Sequence, residues 1–105
     1  MSSPRPSKAQ TSASILSEQA KRASTLLKYA SDATRIEIML LLAHGERHIG
    51  SLCQELNQSR PAGSHHIALL RFGGLIEPRR QGTTKFYSLT ETGERLVEVL
   101  RELIA

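Results

Sequence analysis

The stretch Ser59-Arg60-Pro61-Ala62-Gly63-Ser64-His65-His66-Ile67-Ala68-Leu69-Leu70-Arg71 decides how this chain folds. Ser59 is a helix cap, and Pro61 falls in the first turn, where its missing N–H removes no hydrogen bond. At helical spacing Arg60, Ser64, Ala68 and Arg71 share one edge, while Gly63, His66/Ile67 and Leu70 share the other. Close behind follows Glu77-Pro78-Arg79-Arg80-Gln81-Gly82-Thr83-Thr84-Lys85-Phe86-Tyr87, which reads as a two-stranded hairpin turning through Gln81-Gly82-Thr83. A short helix with a polar, basic edge beside a basic hairpin suits duplex DNA. The helix fits the major groove and the hairpin meets the flanking backbone.

Working outward, residues 15–30 carry Ile15, Leu16, Ala20, Ala23, Leu26, Leu27 and Ala30 at three- and four-residue steps, one stripe of a helix. Ser31-Asp32 breaks it and offers a cap for a second helix, which ends at His44-Gly45. That second helix is apolar nearly all round over residues 38–42 and is expected to be the most buried. Ile49, Leu52, Cys53 and Leu56 mark a third helix, closed by Asn57-Gln58. Gly73-Gly74 ends the fourth. Thr90 caps a last helix with Glu91 and Glu94 in its first turn, where they favour the dipole. Residues 1–14, rich in Ser, Pro, Thr and Ala, read as a disordered tail, leaving 15–105 as one domain.

The order is helix, helix, helix, helix, strand, strand, helix. It predicts a mainly α fold with a small β-hairpin, a winged helix-turn-helix whose third and fourth helices form the reading unit. The last helix has Leu96, Leu100 and Leu103 on one stripe, with Val97 and Ile104 pointing elsewhere. Two apolar sides exceed what a small domain covers, so a symmetric dimer through the first and last helices is expected. The alternative is that both stripes fold back on one core.

The chain has 105 residues and a formal net charge of +4. Residues 60–85 hold five Lys or Arg against Glu77 alone, whereas the last twenty hold four Glu against two Arg. Positive charge is thus concentrated on the candidate binding elements, as a polyanionic partner requires. A single cysteine, Cys53, excludes an internal disulfide and fits the reducing cytoplasm. No apolar run is long enough to span a bilayer. No metalloprotease, phosphate-loop or Ser/His/Asp pattern is legible, so no enzyme is expected.

Three sets of residues carry a resemblance to a known family: Asp32-Ala33-Thr34-Arg35-Ile36-Glu37-Ile38, then residues 64–76 from Ser64-His65-His66 to Gly73-Gly74-Leu75-Ile76, then Arg79-Arg80-Gln81-Gly82 with Phe86-Tyr87-Ser88-Leu89-Thr90. In that order they resemble the ArsR/SmtB family of bacterial transcriptional repressors. The resemblance implies a homodimer that sits on a short inverted repeat, blocks transcription and is released by a metal, oxidant or other ligand. It places Ser59, Arg60, Ser64 and His65 at the groove. Arg60 suits a bidentate contact to guanine, Ser59 and Ser64 suit phosphate oxygens, and Arg79, Arg80, Gln81 and Lys85 suit backbone or minor groove. Arg71, on the same helix edge as Arg60, joins the candidate DNA contacts. Gly63 departs from the family, which usually has an apolar residue there. Glycine within a helix costs up to about 1 kcal/mol relative to alanine.

What the chain senses is less legible. Metal sensors of the family carry Cys-x-Cys on the third helix, where this chain has His48-Ile49-Gly50, and the last helix has no histidine. His48 and Cys53 stand about 140° apart round a helix. No metal or other cofactor is expected. Gly50-Ser51-Leu52-Cys53 resembles one half of a redox-responsive pair whose second cysteine is missing here. Cys53 is therefore a candidate redox switch, set against the plainer role of a small apolar residue on the stripe with Leu52 and Leu56. The remaining rival for the whole chain is a winged-helix docking module that binds protein without specific DNA.

Overall fold

The computed structural model describes residues 8–105. Five helices and three strands follow in the order α1 (Lys8–Ala30), α2 (Ala33–Leu42), β1 (Arg47–His48), α3 (Ile49–Leu56), α4 (Arg60–Phe72), β2 (Ile76–Gln81), β3 (Thr84–Leu89) and α5 (Glu91–Ile104). Each predicted cap is made. The Asp32 carboxylate accepts the Arg35 N–H, the Ser59 hydroxyl accepts that of Ala62, and the Thr90 hydroxyl accepts that of Gly93. Asn57 closes α3 in the left-handed conformation, φ 53°, which asparagine tolerates.

Two boundaries differ from the sequence reading. The predicted disordered tail, 1–14, meets a helix that already begins at Lys8, and residues 1–7 lie outside the described residues. Nothing from Lys8 to Ser14 breaks a helix. Pro6 is the last such residue, and Lys, Ala and Gln are good helix formers. The wing, in turn, is three-stranded. Arg47 and His48 pair antiparallel with Tyr87 and Phe86, giving the order β1-β3-β2. Two residues are too few to show strand alternation.

In the hairpin, Gln81 and Thr84 form the last pair, leaving Gly82-Thr83 as the loop. Gly82 has φ +62° and Thr83 a negative φ, the sign pattern of a type II′ turn, which suits the twist of the strands.

The core sits where α2, α3, α4 and the sheet meet, around Ile38, Met39, Leu52, Leu70 and Leu75, all essentially without solvent exposure. Ile38, Met39 and Leu42 of α2 are buried, whereas Leu40 and Leu41 are half-buried. Val97 of α5 reaches this core, with Leu96 packed partly against it. A leucine-to-alanine change among the fully buried residues costs about 2–5 kcal/mol by cavity formation.

α1 stands apart. Its 23 residues make a rod about 34 Å long. Every side chain from Ser12 to Thr25 is exposed, and among its described side chains only Ala30, at the very end, is buried. The radius of gyration of 17.4 Å accordingly exceeds the roughly 13 Å of a compact chain this long. Leu16 on α1 is 63% exposed, and Leu103 and Ile104 on α5 are 75% and 71% exposed. Of the stripe of Leu96, Leu100 and Leu103, the first two are half-buried and Leu103 projects away from the described core.

Candidate nucleic-acid interface

α4 is built to show one face. Gly63, Ile67 and Leu70 are buried, while Arg60, Ser64, His65, Ala68 and Arg71 are exposed. The Ser59 hydroxyl accepts the Ala62 N–H at 3.2 Å, which orients the first turn and leaves its own proton free to donate. Arg60 follows, exposed and without an ion pair among the described residues. With no acidic residue in its first turn, the positive end of the helix remains open to an anion. Ser59, Arg60, Ser64 and His65 are thus brought together at one end of α4.

Arg71 is not part of that cluster. It lies eleven residues beyond Arg60, about 16 Å along the helix axis, in the last turn. Its neighbour Phe72 is 80% exposed, and the Phe72 ring stacks on Tyr29 of α1 with centroids 6.4 Å apart.

Behind α4 lies a polar junction that the sequence alone does not show. The Arg35 Nε donates to the Tyr29 carbonyl at 2.8 Å, and Nη1 lies 3.4 Å from His66 Nδ1. The same His66 nitrogen is 3.7 Å from the Asp32 carboxylate. Start of α2, end of α1 and middle of α4 are tied at one point. The signal available was the cap Asp32 with Arg35 three residues on; the far partner, His66, is fixed only by the fold.

On the wing, Arg79, Arg80, Gln81 and Lys85 all lie on β2 and β3. Arg80 pairs directly with Lys85 and so shares a sheet face with it. Like charges facing each other across an antiparallel pair are unfavourable unless an anion intervenes. Arg79 has partners already. It is held by the Glu46 carboxylate, lies 5.2 Å over the Phe86 ring and donates to Gln81 Oε1 at 3.2 Å. The Arg79 guanidinium keeps the Glu46 carboxyl below the usual carboxylate range, and Glu46 raises Arg79 in return. Glu46 is a wing residue that sequence reasoning missed, because it sits 33 positions from its partner.

Among the described residues, no three His, Cys, Asp or Glu side chains converge to hold a metal ion. His48 caps α3, its Nδ1 accepting the Ser51 N–H at 3.2 Å. Cys53 is half-buried, its S–H donating to the Ser59 carbonyl at 3.7 Å. No helix among the described residues is long and apolar enough to cross a membrane.

This architecture has known counterparts. Residues 32–77 match the bacterial regulatory protein, arsR family. The chain is 33% identical to the transcriptional activator HlyU of Vibrio cholerae over 89 residues, 84% of this chain and 82% of that one. It is 46% identical over 66 residues to the arsenical resistance operon repressor of Escherichia coli, covering 62% of this chain and 56% of the repressor. The crystal structure of the transcriptional repressor BigR from Xylella fastidiosa superposes with a TM-score of 0.77 at 31% identity, covering 86% of this chain and 90% of BigR. The chain belongs to the arsR family of bacterial regulatory proteins and is a winged-helix, DNA-binding transcriptional regulator.

Proposed function

We propose that the chain works in the cytoplasm as a homodimeric, sequence-specific repressor of transcription that occupies an inverted-repeat operator and leaves it on a signal. The observation that carries this reading is the pairing of an unpartnered Arg60 at the open end of α4 with the Arg80–Lys85 cation pair on the wing. Two-fold symmetry would present two α4 helices to major-groove segments one turn apart, about 34 Å. Arg60 would read guanine, Ser59 and Ser64 would meet phosphates, and His65 would lie over the groove wall. Arg80, Gln81 and Lys85 would grip backbone, with Arg79 able to join them only by leaving Glu46. Arg71 would contact DNA only at the edge of the site.

Dimerisation is assigned to α1 and α5, whose exposed Leu16, Leu27, Leu103 and Ile104 need a cover that the described residues do not supply. The homodimeric winged helix-turn-helix domain of Mb0332 from Mycobacterium bovis shares this fold, with a TM-score of 0.77 at 24% identity. Catalysis, a metal and a cofactor have no part in the proposal. Bare protein docking is disfavoured by the basic face and by the regulators this chain resembles.

The testing experiment is duplex binding across a salt series, with DNA from immediately upstream of the protein's coding region. Tight, steeply salt-dependent binding by a dimer, well above that of random duplex, is expected. Binding no better than to random duplex would reject repression at its own promoter.

A further inference from the structure

Gly63 lies within α4 at ordinary helical dihedrals, a place where alanine would be the better helix former. The missing methyl group makes room for a sulfur atom. A Cβ at position 63 would stand well inside van der Waals contact of Cys53 Sγ, with the next neighbour, Cys53 Cβ, at a comfortable 4.0 Å. The Cys53 S–H donates to the Ser59 carbonyl at 3.7 Å, and that same carbonyl accepts the Gly63 N–H at 2.9 Å. The space left beside the sulfur, among Ile38, Leu52, Leu56 and Ile67, is about 10 Å³. The thiol thus touches α4 at its cap and at its first inward-facing position.

We propose that Gly63 is a positioning residue for DNA reading: its lack of a side chain leaves the Cys53 sulfur the room that lets α4 seat on α3. This rests on the reading of the α4 face given above. Arg60 precedes Gly63 by one turn and Ser64 follows it directly, on the outward face of the same rigid element. A helix pushed off its seat carries those side chains with it. Bidentate pairing to a base edge tolerates displacements of only about half an ångström. The wing's phosphate contacts sit on another element and survive such a shift, so although Ser64 moves with the helix, most of the loss falls on discrimination. A helical cysteine has only one other readily populated χ1 well, and turning to it would take the sulfur off the Ser59 carbonyl.

The full-length wild-type protein first selects its preferred duplex from a random pool. Affinity for that duplex and for a scrambled one is then measured for wild type, Gly63→Ala, Cys53→Ala and the double variant, alongside thermal unfolding. Gly63→Ala is expected to lose about tenfold or more of the selected-to-scrambled ratio while binding scrambled duplex within about twofold of wild type. Cys53→Ala should keep the ratio within about threefold, and so should the double variant, because its new methyl occupies the place the sulfur leaves. An unchanged ratio in Gly63→Ala overturns the proposal, as does a double variant with the low ratio of Gly63→Ala. If Gly63→Ala does not fold, the double variant decides: a ratio equal to that of Cys53→Ala supports the proposal, and a lost ratio or failure to fold overturns it. A wild type that selects no sequence removes the DNA reading and the proposal together; a selected duplex bound equally by all four proteins removes the proposal alone.

Discussion

The guanidinium of Arg79 closes on the carboxylate of Glu46, Nε donating to Oε2 at 3.2 Å and Nη2 to Oε1. A basic wing residue is thereby held by the protein itself, and the Arg79 guanidinium holds the Glu46 carboxyl below the usual carboxylate range. A phosphate would have to compete with Glu46 for this cation. Glu46→Ala is expected to release Arg79 and strengthen binding to specific and random duplex alike. The slope of log affinity against log salt should steepen by about 1, the value for one added phosphate contact. A salt series on both duplexes measures this; an unchanged slope would show that Arg79 stays on Phe86 and makes no DNA contact.

Arg60 and Arg80 should fail differently. With Arg60 on a base, as proposed, Arg60→Ala is expected to weaken the preferred duplex by about 1–3 kcal/mol while relaxing its sequence preference. Arg80→Ala relieves the like-charge pairing with Lys85 and, with Arg80 on the DNA backbone as proposed, takes away one phosphate contact. It should weaken every sequence similarly and flatten the salt dependence. Should both variants lose specific and random binding in equal measure, the division between helix and wing is wrong.

Leu103 and Ile104 protrude from α5, and Leu16 from α1, each more than half exposed. Leu103→Glu places a charge on the face assigned to the dimer. Sedimentation at fixed concentration should show monomers, and operator affinity should collapse because two half-sites are no longer engaged together. A variant that sediments as the wild type does would place the dimer contact elsewhere.

Much of this was written locally. Asp32, Ser59 and Thr90 mark helix starts through hydrogen bonds that span three residues, and Gly82 marks the hairpin loop through its own φ. The exposed edge of α4 followed from helical spacing. What escaped depends on distance along the chain or on the absence of a pattern. Arg47-His48 is too short to alternate, and Lys8 to Ser14 carry no apolar stripe to announce a helix. Glu46 meets Arg79, and Cys53 fills the notch at Gly63, only after the fold has brought separate elements together.

Acid should weaken the start of α2. The Asp32 carboxylate accepts the Arg35 N–H at 3.1 Å, and chiefly this bond, helped by His66 and Arg35, lowers its folded-state pKa. The unfolded value is about 3.9. A folded value below it means stability that is fully present above about pH 4 and is lost as pH falls through the folded value. Asp32→Ala is therefore expected to cost about 1 kcal/mol at pH 7, the worth of an N-cap, and progressively less towards pH 2. Urea unfolding at one protein concentration, repeated across pH, gives both curves; a gap of constant size would show that the charge of Asp32 is immaterial.

Gly93 presents the opposite sign from helix propensity. The start of α5 is tied to the entrance of β2, the Thr90 N–H donating to the Leu75 carbonyl at 3.0 Å and its hydroxyl to the Gly74 carbonyl at 2.6 Å. A Cβ on residue 93 would run into that same Leu75 carbonyl oxygen and crowd the Leu89 side chain at 3.1 Å. The obstacle is backbone, which cannot rotate away. Gly93→Ala should therefore destabilise the fold by about 1–3 kcal/mol through overpacking, although alanine in an open helix would stabilise by up to about 1 kcal/mol. Thr92→Ala, on the exposed side of the same turn, is the control and should leave the unfolding temperature almost unchanged. Because α5 also carries the exposed Leu103 and Ile104, the displaced helix of Gly93→Ala should weaken the dimer as well, whereas a variant as stable as wild type would show that α5 can slide along the sheet without penalty.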